Sequence, residues 1–212
     1  MAPHAPRLYL VTEPMNDPDV SASALAAALG AGDIAAVLLR LSPADERTQI
    51  NRIKALAPLV QDYDIALLLD GHPDLVARSG ADGAHHTGLE ALQDALPALK
   101  PSRIAGVGGL QTRHDAMLAG EAEADYLMFG QPEGQATPSL QATIERVSWW
   151  AEVFQLPCIG YAHLPAEVAP IAAAGADFVA LGAFIWDDPQ GPAAAVRASA
   201  QALAAASVEA VG

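Results

Sequence analysis

Lysine is nearly absent from this chain: Lys54 and Lys100 are the only two in 212 residues. All basic residues together number 11 against 25 acidic ones, a formal net charge of −14. A surface so poor in clustered cations excludes nucleic acid and anionic membrane as partners, because lysine and arginine are what hold both. Cysteine is scarcer still. The single Cys158 leaves no intramolecular disulfide to form, and its setting, Leu156-Pro-Cys-Ile-Gly160, reads as a buried structural thiol. Aromatic residues make up only 5%, so the core must rest on aliphatic side chains. No apolar run is long enough to span a bilayer. The opening Met1-Ala-Pro-His-Ala-Pro-Arg7 has no apolar signal core. With one thiol to keep reduced, the expectation is a cytoplasmic protein.

Apolar residues are plentiful: 52% of the chain, with a mean hydropathy of +0.22. Much of that is alanine, which suits helices packed closely on a sheet. Short apolar runs alternate with longer alanine-rich stretches. Strands are expected at 8–12, 34–40, 65–70, 82–86, 103–107, 125–130, 157–161 and 178–182. Helices are expected at 21–29, 44–60, 73–79, 89–99, 112–120, 139–155, 166–174 and 191–205, with Ser207 to Gly212 fraying. Eight strand–helix units in a chain of this length predict a single (β/α)8 TIM barrel domain over residues 1–212. Leu10, Leu39, Leu68, Met128 and Val179 should all lie in its strands. A short turn recurs before every second strand: Gly32-Asp33, Gly80-Ala-Asp82, Glu123-Ala-Asp125 and Gly175-Ala-Asp177. Its glycines should cap helices in the left-handed conformation. Its aspartates fall at strand starts, on the face of a barrel that serves stability.

Chemistry in such a barrel sits at the opposite end, where the strands finish. The residues placed there are Thr12, Glu13, Arg40, Asp70, His72, His85, His86, Glu90, Gly106, Gly108, Gly109, Gln131, Tyr161, His163, Gly182, Ala183 and Trp186. Four of the six histidines are among them, available as acids, bases or ligands. Asp70, His72, His85, Glu90 and His163 are candidates to converge on a metal. Gly106 to Gly109 and Gly182-Ala183 are candidate phosphate cradles, since glycine lets backbone N–H groups approach an anion. Cations are few: Arg40 ends a strand, and Arg113 is within reach of the rim.

Several segments, in order along the chain, resemble the thiamine-phosphate synthase and TenI family. Leu8-Tyr-Leu-Val-Thr12 is similar to its LYLVTD, Val37-Leu-Leu-Arg40 to VQLR, and Asp74-Leu through Gly80-Ala-Asp-Gly83 to His85 to DLA…GADGVHLGQ. Ile104 to Val107 resembles IGVS, Asp125 to Gly130 resembles GADYIGFGP, and Leu156 to Gly160 resembles IPVVAIGGI. The resemblance implies a TIM barrel and an enzyme joining a hydroxymethylpyrimidine diphosphate to a thiazole phosphate, with Mg²⁺ as cofactor and a homodimer as the assembly. Together with the strand-end placement of His72, Gln131 and His163, it implies a ligand site of Arg40, Asp70, His72, His85, Gln131, His163, Gly182 and Ala183, with Asp70 and Glu90 toward the metal. The chain departs from the pattern in several places. Leu38 and Ser42 replace a glutamine and a lysine, and Asp70-Gly71 stands for Asn-Asp. Gly108 replaces a serine, and Gly160-Tyr-Ala-His163 stands for the phosphate loop GIGG. These losses imply weak or absent synthase activity. The alternatives are a binding or regulatory barrel, or an enzyme acting on another small heteroaromatic ligand.

Overall fold

The computed structural model describes residues 5–132 and 138–209. Strands and helices alternate in the order β1 (Arg7–Val11), α1 (Pro18–Leu29), β2 (Ile34–Leu39), α2 (Glu46–Gln61), β3 (Ala66–Asp70), α3 (Pro73–Ser79), β4 (Gly83–Thr87), α4 (Leu89–Leu99), β5 (Ile104–Gly108), α5 (Arg113–Glu121), β6 (Tyr126–Phe129), α6 (Leu140–Val153), β7 (Cys158–Ala162), α7 (Val168–Ala173), β8 (Phe178–Leu181) and α8 (Pro192–Glu209). The strands pair in parallel, each with its sequence neighbour, and β8 closes on β1. The expected TIM barrel is therefore present. Leu10, Leu39, Leu68, Met128 and Val179 all lie in strands. At the C-terminal end the helix continues through Glu209, past the point where fraying was expected.

Continuous apolar runs such as Ile34-Ala-Ala-Val-Leu-Leu39 suit strands buried on both faces. Alternation then divides each run. One set, including Leu8, Leu10, Val37, Leu39, Leu67 and Leu69, packs outward against the helices. The other, Tyr9, Val11, Leu38, Leu68, Tyr126, Met128, Ile159, Tyr161 and Ala180, fills the barrel interior. Three interior-facing glycines exist because there is no room for more. A Cβ on Gly83 would stand 2.1 Å from the Ile104 carbonyl oxygen, and one on Gly106 would stand 2.0 Å from the Tyr126 ring. One on Gly108 would come within 2.9 Å of His85 Nε2. Gly106 and Gly108, read from sequence as a phosphate cradle, are spaces cut for Tyr126 and His85.

The recurring aspartates work at the bottom face, as expected. Asp82 accepts the backbone N–H of Leu67 at 2.8 Å, Asp125 that of Ala105 at 2.7 Å, and Asp177 that of Cys158 at 2.8 Å. Each pins the start of the preceding strand to its own. Asp33 instead pairs with the side chain of Arg7. Gly80 and Gly175 take the left-handed conformation, and Glu123 takes it in place of a glycine. Gly32 does not. Its role is space, since a Cβ there would press on Val196 at 3.1 Å. Cys158 is fully buried, and burial first, then Asp177, pushes its thiol up to about 12. It is the inert thiol the sequence implied.

Candidate functional site

Arg40 follows β2 directly, its backbone N–H held by the buried Thr12 hydroxyl at 3.0 Å. Asp70 ends β3. Their side chains form an ion pair, Arg40 Nε to Asp70 Oδ2, at 3.4 Å. Burial raises the Asp70 carboxyl above its ordinary range, and Arg40 opposes that shift. The guanidinium expected to meet an anion is thus already partnered. Arg113 does not serve the rim, because its guanidinium lies over the Trp149 ring at 4.8 Å. A cation that sequence reading missed is Arg146 on α6. It donates to the carbonyls of Leu110 and Gln111, both at 3.0 Å. No strand-end motif could have revealed a helix residue reaching over the β5 loop.

Arg40 lines a cavity of 210 Å³ with Val11, Thr12, Glu13, Pro14, Tyr161, Ala183 and Trp186. The Trp186 indole N–H donates to the Val11 carbonyl at 2.8 Å, tying the loop after β8 to the end of β1. Trp186 also borders a second cavity of 410 Å³ between the β1 loop and α1. Gly182 cannot offer its N–H to a phosphate, since it donates to Ala162 O at 3.1 Å. Its Cα is hemmed in by the Tyr161 hydroxyl, 2.6 Å from where a Cβ would stand. The N–H of Ala183 carries no backbone hydrogen bond among the described residues. After β7 the N–H groups of His163 and Leu164 both donate to Glu167 Oε2, at 2.7 and 3.4 Å. The chain's own carboxylate fills the donors that a phosphate loop would keep open.

The histidines do not converge. His72 is exposed in the left-handed conformation at the start of α3. His86 belongs to the outward face of β4, away from the mouth where it was expected. It is buried with Nε2 unpartnered, and burial lowers its pKa. The His163 ring lies against Tyr161, centroids 4.7 Å apart, with Nε2 buried and unpartnered. Only His85 points into the barrel. Its Nδ1 is 3.0 Å from the Tyr126 hydroxyl, which is 2.9 Å from the Tyr9 hydroxyl. Its ring stacks on Tyr126 at 15°, centroids 5.7 Å apart. Burial, with His86 contributing, lowers its pKa to about 3. Tyr9 and Tyr126 escaped the sequence reading, although strand alternation places both inward.

Glu90 lies apart. Exposed in the first turn of α4, it lines a 510 Å³ cavity with Asp94, Gln111 and Asp115, and Asp70 is not among the lining residues. Gln131 borders a fourth cavity, of 60 Å³, with Arg146. Glu133 and Thr137, of the loop expected after the sixth strand, lie outside the described residues. Among the described residues no three His, Cys, Asp or Glu side chains group to hold a metal ion. Mg²⁺ accepts one or two carboxylates with substrate phosphates. Here Asp70 ends β3, and Arg40 already engages its carboxylate. The residues present do not fit a Mg²⁺ site shared by Asp70 and Glu90.

This is a closed parallel (β/α)8 barrel with a polar, self-paired mouth at the strand ends, the end at which barrels of this class carry their sites. Over residues 8–185 the sequence matches the thiamine monophosphate synthase family, and the chain belongs to it. It is 44% identical to the thiamine-phosphate synthase of Rhodospirillum centenum, covering 90% of this chain and 94% of that one. It is 35% identical to that of Hyphomonas neptunium, covering 91% of each. Among solved structures, the thiamine phosphate pyrophosphorylase of Pyrococcus furiosus superposes with a TM-score of 0.76 at 19% identity, over 94% of this chain and 96% of that one. The 3-hexulose-6-phosphate synthase of Salmonella typhimurium gives 0.72 at 20%, over 94% and 99%. The same barrel thus occurs in proteins with differently named activities. No helix among the described residues is long and apolar enough to cross a membrane.

Proposed function

We propose that this protein is a diverged thiamine-phosphate synthase. It binds a hydroxymethylpyrimidine diphosphate and a thiazole phosphate at the barrel mouth and joins them, releasing diphosphate, far more slowly than is usual for enzymes. The family and its relatives named as synthases support the reaction class. The observation that carries the slow rate is the Arg40–Asp70 ion pair at 3.4 Å. To stabilise a departing diphosphate, Arg40 must first leave Asp70. Tyr161, Pro14 and Trp186 give the cavity flat walls for a heteroaromatic ring, and the Ala183 N–H is the backbone donor left for a phosphate oxygen. Each missing cation or metal carboxylate costs on the order of 10²-fold in rate.

The test is turnover of both substrates by the purified protein with Mg²⁺ added. A slow but measurable product signal is expected. A rate within the ordinary enzyme range of about 1–10³ s⁻¹ overturns the slow part of the reading. Failure to bind either substrate overturns all of it. A binding or regulatory barrel without the joining step is the second reading, favoured by Glu167 filling the β7 loop donors. We further place the protein in the cytoplasm as a homodimer. Its single buried thiol suits the first, and exposed Met117 and Val153 on neighbouring outer helices suit the second. Sedimentation as a monomer alone at micromolar concentration would reject the dimer.

A further inference from the structure

The loops after β7 and β8 are where barrels of this class hold phosphate, through open backbone N–H groups. Here most of those groups are taken up within the chain. The N–H groups of His163 and Leu164 both donate to Glu167 Oε2, at 2.7 and 3.4 Å. After β8 the Gly182 N–H donates to Ala162 O at 3.1 Å, the Ile185 N–H to Gly182 O at 3.3 Å and the Trp186 N–H to Ala183 O at 2.9 Å. The side chains bring no compensating cation. His163 is folded against the Tyr161 ring with Nε2 enclosed. Among the described residues, the charged side chains lining the adjoining 210 Å³ cavity are Arg40 and Glu13, and Asp70 already engages Arg40.

These contacts treat a phosphate and a hydroxyl differently. A phosphate monoester would meet like charge from Glu13 and Glu167. To reach the β7 loop it would also have to displace a carboxylate held by two N–H groups. A hydroxyl carries no charge and meets neither obstacle. Its oxygen can accept from the Ala183 N–H, which makes no backbone hydrogen bond among the described residues. Its hydrogen can go to the Glu13 carboxylate on the wall of the same cavity. The same groups therefore repel one ligand and satisfy the other, which is how a site becomes selective.

We propose that Glu167 and Glu13 make this mouth selective for an unphosphorylated thiazole alcohol over its phosphate. This rests on the functional reading above and names the acceptor that the site favours. The joining step is unchanged. The thiazole nitrogen gives its lone pair to the methylene carbon of the pyrimidine, the bond from that carbon to the diphosphate oxygen breaks, and diphosphate leaves with the bonding pair. The hydroxyl takes no part, so the step balances for alcohol and phosphate alike, and the alcohol yields a thiazolium alcohol.

Calorimetry on the full chain with hydroxyethylthiazole and with hydroxyethylthiazole phosphate reads the preference apart from turnover. The alcohol is expected to bind about tenfold more tightly or better. Glu167→Ala is expected to shift that ratio toward the phosphate. Glu167→Gln, whose amide oxygen still accepts from the β7 loop, is expected to shift it part of the way. A loosened loop would weaken both ligands and leave the ratio where it was. Phosphate binding as tightly as the alcohol in the unaltered protein overturns the proposal, and so does an unchanged ratio in folded Glu167→Gln. Turnover with the pyrimidine diphosphate and Mg²⁺ separates this inference from the functional reading. Faster product formation from the alcohol is expected. Product from the phosphate alone overturns the selectivity and leaves the functional reading standing. No product from either acceptor, with the binding preference present, overturns the joining step and upholds the selectivity. No binding of either thiazole overturns both.

Discussion

His85 is held neutral by burial, with a pKa of about 3 against an ordinary 6.5. The fold therefore refuses a proton that the unfolded chain accepts. Above pH 6.5 neither state is protonated, and the histidine has no effect on the balance. As pH falls from 6.5 toward 3, the unfolded state binds more protons and stability declines, by at most about 1.4 kcal/mol per pH unit from this group. Chemical denaturation at a series of pH values is expected to show that decline shrink in His85→Gln. An unchanged acid limb would mean that other groups control it. Gly106 offers a sharper residue-scale contrast. Nothing in a sequence says whether a strand glycine frees a ligand or frees a neighbour. Here a Cβ would fall 2.0 Å from the Tyr126 ring, so Gly106→Ala must displace that ring. The expected loss is about 1–3 kcal/mol, the usual cost of overpacking a filled interior. A denaturation midpoint equal to that of the unaltered protein would show that the ring has room to move.

At the scale of elements, the barrel was legible because parallel strands buried on both faces leave continuous apolar runs, and helices between them leave alanine-rich ones. The repeated Gly/Ala-Asp turn was legible too, and the structure supplies its physical content. Asp82, Asp125 and Asp177 each accept a backbone N–H from the strand before their own, whereas the Asp33 side chain pairs, among the described residues, with the half-exposed Arg7. Replacing any of the first three by alanine is expected to cost about 1 kcal/mol, because a strand N–H loses a charged acceptor. Asp33→Ala is expected to change nothing measurable, as for most surface pairs. Equal effects at all four positions would refute the distinction. The site was less legible than the frame. Arg40 and Asp70 could be placed at strand ends, and their mutual pairing follows from adjacent strands. Three other features depend on loop paths and on helix residues folding back over the mouth, which no strand motif encodes. These are the Glu167 carboxylate on the β7 loop, the Gly182 N–H spent on Ala162, and the reach of Arg146. The histidines were read as one group because each falls at or just after the end of a strand. Strand alternation sends His86 out and His85 in, and left-handed backbone puts His72 in solvent.

Over the whole molecule, charge and mouth act in the same direction. The chain carries a formal net charge of −14, and its mouth cation is paired with Asp70. An anion approaching the barrel meets a repulsive field and then a guanidinium that must exchange one carboxylate for another partner. Sites that hold anions by free cations lose affinity as salt screens the attraction. Here screening relieves repulsion instead, so inorganic diphosphate is expected to bind weakly and its affinity to hold or rise with added salt. Isothermal titration without metal, repeated across ionic strengths, measures this. Arg40→Ala sharpens the test, since it should weaken diphosphate binding only slightly while the protein remains folded. Micromolar affinity that falls with salt and vanishes in folded Arg40→Ala would make Arg40 an anion anchor after all. The ion pair at 3.4 Å would then be a resting contact that the ligand readily displaces, and the slow joining rate argued from it would lose its physical basis.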